Sequence, residues 1–153
     1  MVEKITLEVS GQKLHGQFFS PDESRNDRLA VLFIHGWTSS FVGYVEYAEA
    51  LASRGVASMI FDLRSHGTSE GDINTLTRQD FIDDVVAAYD YVAVKGHSNI
   101  AVVGSSFGSY LTCLLTSMRK VSNIILRVPA NYPNEGLQEP QVKQSGQVEL
   151  LKW

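Results

Sequence analysis

One serine of the sequence stands where a serine can become a nucleophile. Gly104 and Gly108 flank Ser106 in the pattern Gly-Ser-Ser-Phe-Gly, directly between a β-branched apolar run and an apolar helical run. A sharp strand-to-helix turn, called a nucleophile elbow, forces the central residue into an unfavourable backbone conformation, and glycines have no side chains to collide with it. The pattern predicts a Ser106 hydroxyl held at the C-terminal end of a sheet. A plain glycine-and-serine turn is the alternative.

A second motif could supply the electrostatic half of the same chemistry. His35, Gly36 and Trp37 follow an apolar run, where a loop can turn the Trp37 backbone N–H toward the serine. The Phe107 N–H, at the start of a helix, would be the second donor, because helix N-termini favour negative charge. Two such donors form an oxyanion hole. The His35 side chain itself is expected to pack the loop at the end of the strand.

A sheet with alternating helices must position these two motifs. Residues 5–9 and 14–19 flank Gly11 and alternate polar with apolar side chains, which predicts a β-hairpin. Four later apolar runs predict buried strands at 29–34, 56–61, 99–103 and 122–128. Helical spacing predicts helices around 47–52, from a Thr77–Asp80 capping box to 93, and over 107–118. This order predicts an α/β fold: a mostly parallel sheet with helices on both faces and the N-terminal β-hairpin at one edge.

The length of 153 residues allows one hydrophobic core. Residues 1–130 carry the alternating strands and helices and are predicted to form a single domain. Residues 131–153 contain the spaced breakers Pro133, Gly136 and Pro140 and few apolar side chains. They are predicted to be a poorly ordered loop or the beginning of an insertion.

Composition and charge exclude several classes of protein. The net charge of −4 comes from 13 basic and 17 acidic residues without any basic cluster, so nucleic acid is not an expected partner. No apolar run approaches the roughly 20 residues of a membrane span, and the first ten residues lack the apolar stretch of a signal peptide. A cytoplasmic protein is therefore expected. The single cysteine, Cys113, excludes an internal disulfide, is expected to be a packed core thiol, and leaves no cluster for a metal site.

Three motifs taken together resemble the α/β-hydrolase superfamily. They are HGW at residues 35–37, DLRSHGTSEG at 62–71 and GSSFG at 104–108, in the order of that superfamily. The resemblance covers nearly all of residues 29–129, and LRVPANYP at 126–133 looks like the segment leading into its lid. It implies that residues 1–130 are the N-terminal part of an α/β-hydrolase domain and that 131–153 are a loop or the start of a lid insertion.

The resemblance also implies a chemistry. An esterase-like serine hydrolase would act on a small carboxylic ester or related acyl substrate through an acyl-enzyme. Ser106 would be the nucleophile, and the Trp37 and Phe107 N–H groups would be the oxyanion donors. No metal or organic cofactor is implied. The positions of Asp62 and Arg64 in the second motif usually hold their loop together and rarely act chemically.

The residues that complete a serine triad do not follow Ser106. The superfamily order is serine, acid and then histidine, but the sequence after Ser106 contains no aspartate and no histidine. A serine hydroxyl without a base is a weak nucleophile. His66, in a loop at the same end of the sheet, is the candidate for a replacement base, although the superfamily does not commonly use that position. The chain is therefore expected to lack the last strands of the fold and to be a truncated hydrolase, inactive alone.

Two other interpretations remain open. The chain could be a non-catalytic binding module that keeps the nucleophile elbow as a scaffold, or a second polypeptide could supply the acid and the histidine. In each case the run from Ser122 to Val128 is the predicted edge strand, and Ile124, Ile125 and Leu126 make it apolar. An uncovered apolar edge favours pairing with another chain, so self-association through this strand is expected.

Overall fold

Six strands of the described residues form a single mixed sheet. The computed structural model describes residues 1–23 and 28–130. The strands are β1 (Val2–Val9), β2 (Gln12–Phe19), β3 (Leu29–Ile34), β4 (Ala57–Phe61), β5 (Asn99–Ser105) and β6 (Asn123–Arg127). Their order is β1-β2-β4-β3-β5-β6; β2 pairs antiparallel with β1 and β4, and the remaining pairs are parallel. The predicted mostly parallel sheet with the hairpin at one edge is confirmed.

Helices cover both faces of this sheet, and none of those described is long and apolar enough to cross a membrane. They are α1 (Val45–Ala52), which follows a 3₁₀ turn at Phe41–Tyr44, α2 (Arg78–Val94) and α3 (Phe107–Leu115). α2 and α3 share one apolar core with Leu32 and Ile34. α1 shares a second core with Val31 and Phe33. Alternate residues of β3 thus enter different cores, which explains why its sequence is continuously apolar.

Local hydrogen bonds set where α2 begins and where α3 ends. The Thr77 N–H and hydroxyl both donate to Asp80 Oδ2, at 2.8 and 2.7 Å, which confirms the predicted start of α2. α3 ends at Leu115, three residues earlier than predicted. The Thr116 and Ser117 hydroxyls donate to carbonyls three residues before them. Such side-chain bonds compete with backbone bonds and so favour an early end of the helix.

Cys113 is exposed, so the prediction of a packed core thiol was wrong. α3 buries Leu111, Thr112 and Leu115, and the helix packs against the sheet and α2. The Cys113 side chain points about 200° around the helix axis from that of Leu111, because successive residues are about 100° apart. The sequence of α3 is apolar on most sides, and its periodicity does not show which side faces solvent.

A buried ion pair ties the loop after β4 to α2. Arg64 is only 2% exposed; its Nε donates to Asp84 Oδ1 at 2.8 Å, and its backbone N–H donates to Asp84 Oδ2 at 2.9 Å. Arg64 Nη1 also donates to Asp80 Oδ1 at 2.9 Å. Burial raises the pKa of Asp84, and the Arg64 guanidinium lowers it. The effect of burial is the larger of the two, because removing a charged carboxylate from water is costly even within an ion pair. The ion pair anchors the loop formed by residues 62–71.

The β-hairpin holds the other side of this loop. The Glu70 N–H donates to the Lys13 carbonyl, and the Lys13 N–H donates to Glu70 Oε2, both at 2.9 Å. The Asp62 N–H donates to the His15 carbonyl, and the His15 N–H donates to Ser69 Oγ, again at 2.9 Å. The loop therefore continues the hydrogen bonding to β2 beyond the end of β4. These bonds to the hairpin fix where the loop starts.

β6 forms the edge of the described sheet opposite the hairpin, as predicted. Ile124 and Ile125 are 43% and 59% exposed. On the α1 face, a groove of about 640 Å³ lies over β3, β5 and β6, and apolar side chains form most of its walls. They include Phe33, Tyr47, Leu51, Val103, Ile125 and Leu126. The predicted loop or lid at 131–153 falls outside the described residues.

Asp84→Asn should lower the free energy of unfolding by about 3 kcal/mol, because the Arg64 guanidinium would stay buried without its full counter-charge. Asp83→Asn is the matched control on the same helix. Asp83 bonds at the surface to Gln79 at 2.8 Å, and its loss should change stability by no more than about 0.5 kcal/mol. Urea unfolding followed by circular dichroism compares the two. Equal losses in both variants would contradict the anchoring role of the ion pair.

Candidate active site

Ser106 lies at the junction between β5, which ends at Ser105, and α3, which begins at Phe107. Its φ of +51° and ψ of −115° lie outside the regions that L-residues normally occupy. The Ser106 N–H donates to the Arg127 carbonyl of β6, and the Ser109 N–H donates to the Ser106 carbonyl, both at 2.9 Å. These bonds hold the strained residue in place, so the turn has the conformation expected of a nucleophile elbow.

Three glycines allow the backbone segments around Ser106 to approach closely. A Cβ on Gly108 would collide with the carbonyl oxygen of Ile34, at the end of β3. A Cβ on Gly104 would collide with the carbonyl oxygen of Gly108. Gly36 lies against the elbow itself, since a Cβ there would be 3.3 Å from Ser106 Cβ. The glycines of both motifs therefore bring the loop after β3 and the elbow into direct contact.

The His35 imidazole is fully buried and bonded at both nitrogens. The Leu63 N–H donates to Nε2 at 3.0 Å, and Nδ1 lies 2.7 Å from the Gly36 carbonyl oxygen. Burial lowers the pKa of His35 to about 4, so the ring is neutral at pH 7. Asp62 Oδ1 is 4.0 Å from Nε2 but forms no ion pair with a neutral ring. The His35 side chain thus packs the end of the strand, where it also joins two loops.

Asp62 connects three segments around the site. Its Oδ1 accepts the Phe41 N–H at 2.8 Å, at the start of the 3₁₀ turn. Its Oδ2 accepts the Thr68 N–H at 2.8 Å and the Thr68 hydroxyl at 3.2 Å. The Asp62 carbonyl accepts the Ser69 hydroxyl at 2.7 Å. These contacts give Asp62 a position from which it holds the loop at 62–71 against the segment that follows Trp37.

The Trp37 ring packs edge-on in an aromatic cluster beneath the site. Its centroid lies 5.1 Å from that of His66, 5.6 Å from Phe81 and 5.3 Å from Phe107. Phe81 also contacts Phe107 at 5.2 Å. Edge-to-face contacts of this kind stabilise a fixed arrangement of rings. The cluster joins the loop after β3 to the loop at 62–71, to α2 and to α3.

His66 belongs to this cluster, and the described structure gives no hydrogen bond between its ring and Ser106. Nδ1 lies 2.9 Å from the Arg64 carbonyl oxygen, and the ring contacts His35 at 5.2 Å. The side chain is 7% exposed, and burial lowers its pKa. This environment is that of a packed loop histidine and not that of a base placed on a serine hydroxyl.

The other two histidines lie away from Ser106. His15 is on the hairpin, where its Nδ1 is 3.1 Å from Thr6 Oγ1. His97 precedes β5, and its Nδ1 is 3.2 Å from the Arg28 carbonyl oxygen, at the opposite end of the parallel strands. Within residues 1–23 and 28–130, no group of three or more His, Cys, Asp or Glu side chains could hold a metal ion.

Asp84 is a partner of this site that none of the sequence motifs predicts. Asp84 is fully buried and accepts a hydrogen bond from Arg64, which belongs to the loop that carries His66. A signal was available, because Asp84 lies three residues after Phe81 and four before Ala88, so it borders the apolar face of α2. Acidic residues in a buried helix stripe require a partner, but nothing local in the sequence identifies that partner as Arg64.

Comparisons with known proteins identify a family and two similar proteins. A family model described as serine aminopeptidase, S33, matches residues 25–151. The chain is 30% identical over 112 residues to the uncharacterized protein YfhR of Salmonella typhimurium, and the match covers 69% of this chain and 37% of YfhR. It is 30% identical over 95 residues to a thermostable monoacylglycerol lipase of Bacillus sp. (strain H-257), covering 62% of this chain and 38% of the lipase. The chain thus spans less than half the length of these relatives.

Solved structures share the architecture. A putative hydrolase from Agrobacterium vitis superposes with a TM-score of 0.74 at 22% identity, over 85% of this chain and 53% of that one. Est1E from Butyrivibrio proteoclasticus, solved with ferulic acid bound, gives 0.72 at 25% identity, over 82% and 52%. The epoxide hydrolase VrEH1 from Vigna radiata gives 0.70 at 27% identity, over 87% and 42%. Each match covers most of this chain and about half of the other.

The buried imidazoles predict a fold that loses stability in acid. The pKa of His35 is about 4 in the folded chain and 6.5 as an ordinary histidine, so the unfolded chain takes up its proton first as the pH falls. The free energy of unfolding should therefore fall by about 3 kcal/mol between pH 7 and pH 4 through His35 alone. His66, whose pKa is also lowered, acts in the same direction.

Asp84 has a raised pKa, so its titration changes the free energy of unfolding in the opposite direction as the pH falls. The contribution of His35 to the pH dependence of stability is therefore measured by comparison with a variant that lacks the imidazole. Urea unfolding of the original chain and of His35→Asn is compared at both pH values. The stability difference between them should narrow by about 3 kcal/mol at the lower pH. An unchanged difference would contradict a neutral, buried His35.

Proposed function

This chain belongs to the serine aminopeptidase S33 family of α/β-hydrolases, and on that premise we propose that it carries the nucleophile of a serine hydrolase of carboxylic esters or related acyl compounds. The backbone of Ser106 carries the proposal, because a serine at φ +51° between β5 and α3 is strained. Strain of this kind clusters at functional sites. Gly36, packed against Ser106 Cβ, adds the second motif at the same point.

In the proposed reaction, the Ser106 oxygen attacks the acyl carbon of the substrate while a base takes the hydroxyl proton. The carbonyl electron pair moves to oxygen, and the oxyanion accepts hydrogen bonds from the Trp37 and Phe107 N–H groups. Collapse of this intermediate expels the alcohol, which takes up the proton, and leaves an acyl group on Ser106. Water then attacks the acyl-enzyme by the same route and releases the acid.

The positions of the two proposed donors support this assignment. Phe107 is the first residue of α3, where backbone N–H groups lie at the positive end of the helix dipole. Trp37 directly follows Gly36, which contacts the elbow. The Trp37 and Phe107 rings pack edge-on at 5.3 Å, so the two residues are fixed relative to each other.

Proton transfer is the step that this chain does not supply in the usual way. No imidazole of the described residues bonds to the Ser106 hydroxyl, and no histidine or aspartate follows Ser106 in the sequence. The chain also spans only 37% and 38% of its two curated relatives. We therefore propose that these residues hold the nucleophile and the oxyanion donors of a larger catalytic unit and turn over substrate very slowly alone.

The substrate class is supported by two similar proteins. One is named a monoacylglycerol lipase, and the other was solved with ferulic acid bound. Both names involve a carboxylic acid or its ester. A small acyl compound is accordingly the proposed substrate.

A non-catalytic binding module is the alternative function. The open apolar groove over β3, β5 and β6 favours it, because exposed apolar grooves commonly bind a partner or ligand. In that case Ser106 would be part of a scaffold only, and its hydroxyl would react no faster than that of an ordinary surface serine.

Covalent labelling distinguishes these two functions. A fluorophosphonate should modify the chain slowly and at Ser106, since the oxyanion donors act without a base. Ser106→Ala should lose the label, and the matched control Ser105→Ala, one residue earlier, should keep it. Intact-mass measurement and peptide mapping identify the modified serine. Labelling that is equal in all three proteins would contradict the proposal and favour the binding module.

Turnover of an ester substrate by the chain should be small. Hydrolysis of a short-chain aryl ester by the chain should barely exceed that by Ser106→Ala, because residual catalysis without a base is modest. Robust hydrolysis that is lost both in Ser106→Ala and in His66→Ala would instead make His66 the base. That result would contradict its proposed structural role.

We propose in addition that the chain associates with itself through β6. The outer edge of this strand has no neighbour among the described strands, and Ile124 and Ile125 are exposed on it. An antiparallel pair of two copies centred on Ile125 would place Asn123 opposite Arg127, so no like charges would face each other. Apolar edges of this kind favour strand pairing.

Ile125→Lys should therefore shift the chain toward monomer, since a charge on an edge strand opposes pairing. Val94→Lys is the control, because Val94 is 87% exposed and lies on α2, away from β6. Sedimentation velocity over a range of concentrations measures the distribution. A monodisperse monomer of the original chain at high concentration would contradict the proposed association.

A further inference from the structure

The partners of His35 determine which of its nitrogens carries the proton. The Leu63 N–H, which can only donate, lies 3.0 Å from Nε2, so Nε2 must be the acceptor. In a neutral imidazole the other nitrogen then bears the hydrogen. Nδ1 is therefore the donor in its contact with the Gly36 carbonyl oxygen, at 2.7 Å. The backbone N–H of Leu63 thus fixes the tautomer of His35, and this tautomer donates to the Gly36 carbonyl in the loop after β3.

The Gly36 carbonyl belongs to the same peptide unit as the Trp37 N–H. All described peptide bonds are trans, and in a trans peptide the C=O and N–H vectors point in opposite directions. A carbonyl that points toward His35 therefore directs the Trp37 N–H away from His35, in the opposite direction within the peptide plane. The Ser39 N–H also donates to the Gly36 carbonyl, at 3.2 Å, so two donors hold this oxygen.

We infer that His35 is a positioning residue: its imidazole, held as the Nδ1–H tautomer by the Leu63 N–H, orients the Gly36–Trp37 peptide so that the Trp37 N–H can serve the oxyanion. The inference rests on the proposed function, because it assigns a purpose to the orientation of Trp37. It adds a link between the start of the loop at 62–71 and the oxyanion site, which neither the HGW motif nor the elbow reveals separately.

The surroundings of His35 keep this tautomer in place. The side chain is fully buried, so water does not compete for either nitrogen. Asp62 Oδ1, at 4.0 Å, and the His66 ring, with centroids 5.2 Å apart, are the titratable groups that face it. Asp62 favours a protonated ring, but burial outweighs this and keeps the ring neutral. Asp62 is itself engaged by Phe41 and Thr68.

Two substitutions separate the positioning role from simple packing. The side-chain amide of His35→Asn can place an N–H near the position of Nδ1 and keep the bond to the Gly36 carbonyl. The amide of His35→Gln reaches the position of Nε2 instead, so the Gly36 carbonyl loses the imidazole donor and keeps only the Ser39 N–H. Both variants lose an imidazole from the same cavity, so packing alone predicts similar effects for the two.

The orientation of the Trp37 amide is the first measurement. Residual dipolar couplings of the ¹⁵N-labelled chain should be unchanged at Trp37 in His35→Asn and altered in His35→Gln. Fluorophosphonate labelling of Ser106 is the second measurement. It should be at least about tenfold slower in His35→Gln than in His35→Asn, as loss of an oxyanion donor costs roughly 10²–10³-fold in rate. Equal couplings and equal labelling in the two variants would overturn the inference.

The original chain provides a test that needs no variant. Long-range ¹H–¹⁵N spectra of the imidazole should show a protonated Nδ1 and an unprotonated Nε2, and this decides the matter if both variants fail to fold. A protonated Nε2 in the neutral ring would overturn the inference. Failure of the proposed function looks different: Ser106 would not be labelled in any variant, while the tautomer and the Trp37 couplings would still decide the role of His35.

Discussion

The contact between the end of β3 and the start of α3 is the constraint on which the site depends. Gly108 lies so close to the Ile34 carbonyl that a Cβ would collide with it. This contact places the first turn of α3 beside the loop that begins at His35. A larger residue at position 108 would push the helix away from the strand and separate Ser106 from Gly36. Backbone packing, rather than recognition between side chains, therefore brings the two motifs together.

Buried polar groups then fix the loops that this contact brings together. Asp62 accepts backbone N–H groups from Phe41 and Thr68, and His35 accepts the Leu63 N–H. Polar groups removed from water are costly unless their hydrogen bonds are made, and each of these is matched to a backbone donor. Such a network adds modest net stability, but it penalises any other arrangement of the loops. The aromatic cluster around Trp37 packs against the same loops.

Short-range patterns in the sequence predict much of this structure. The order of strands and helices, the capping box at Thr77 and the strained turn at Ser106 all depend on neighbouring residues, so sequence alone is sufficient for them. The exposure of Cys113 depends on which side of an apolar helix the sheet covers. The bond between Arg64 and Asp84 spans 20 residues and depends on how a loop packs on α2. No local pattern in the sequence identifies the exposed side of α3 or the partner of Asp84. The catalytic roles of the site residues stay predictions.

The residue type at the elbow bears on what the chain does. A strained backbone conformation costs a serine about 1–3 kcal/mol, and glycine would adopt φ +51° with little penalty. A turn that served only as scaffold would therefore be more stable with glycine at position 106. A serine keeps a hydroxyl there in spite of the strain, which is expected where the hydroxyl itself is used. His35 cannot activate it, because backbone groups occupy both of its nitrogens. The elbow thus sets the position of the Ser106 hydroxyl, and under the proposed mechanism the proton of this hydroxyl must pass to a group outside the described residues.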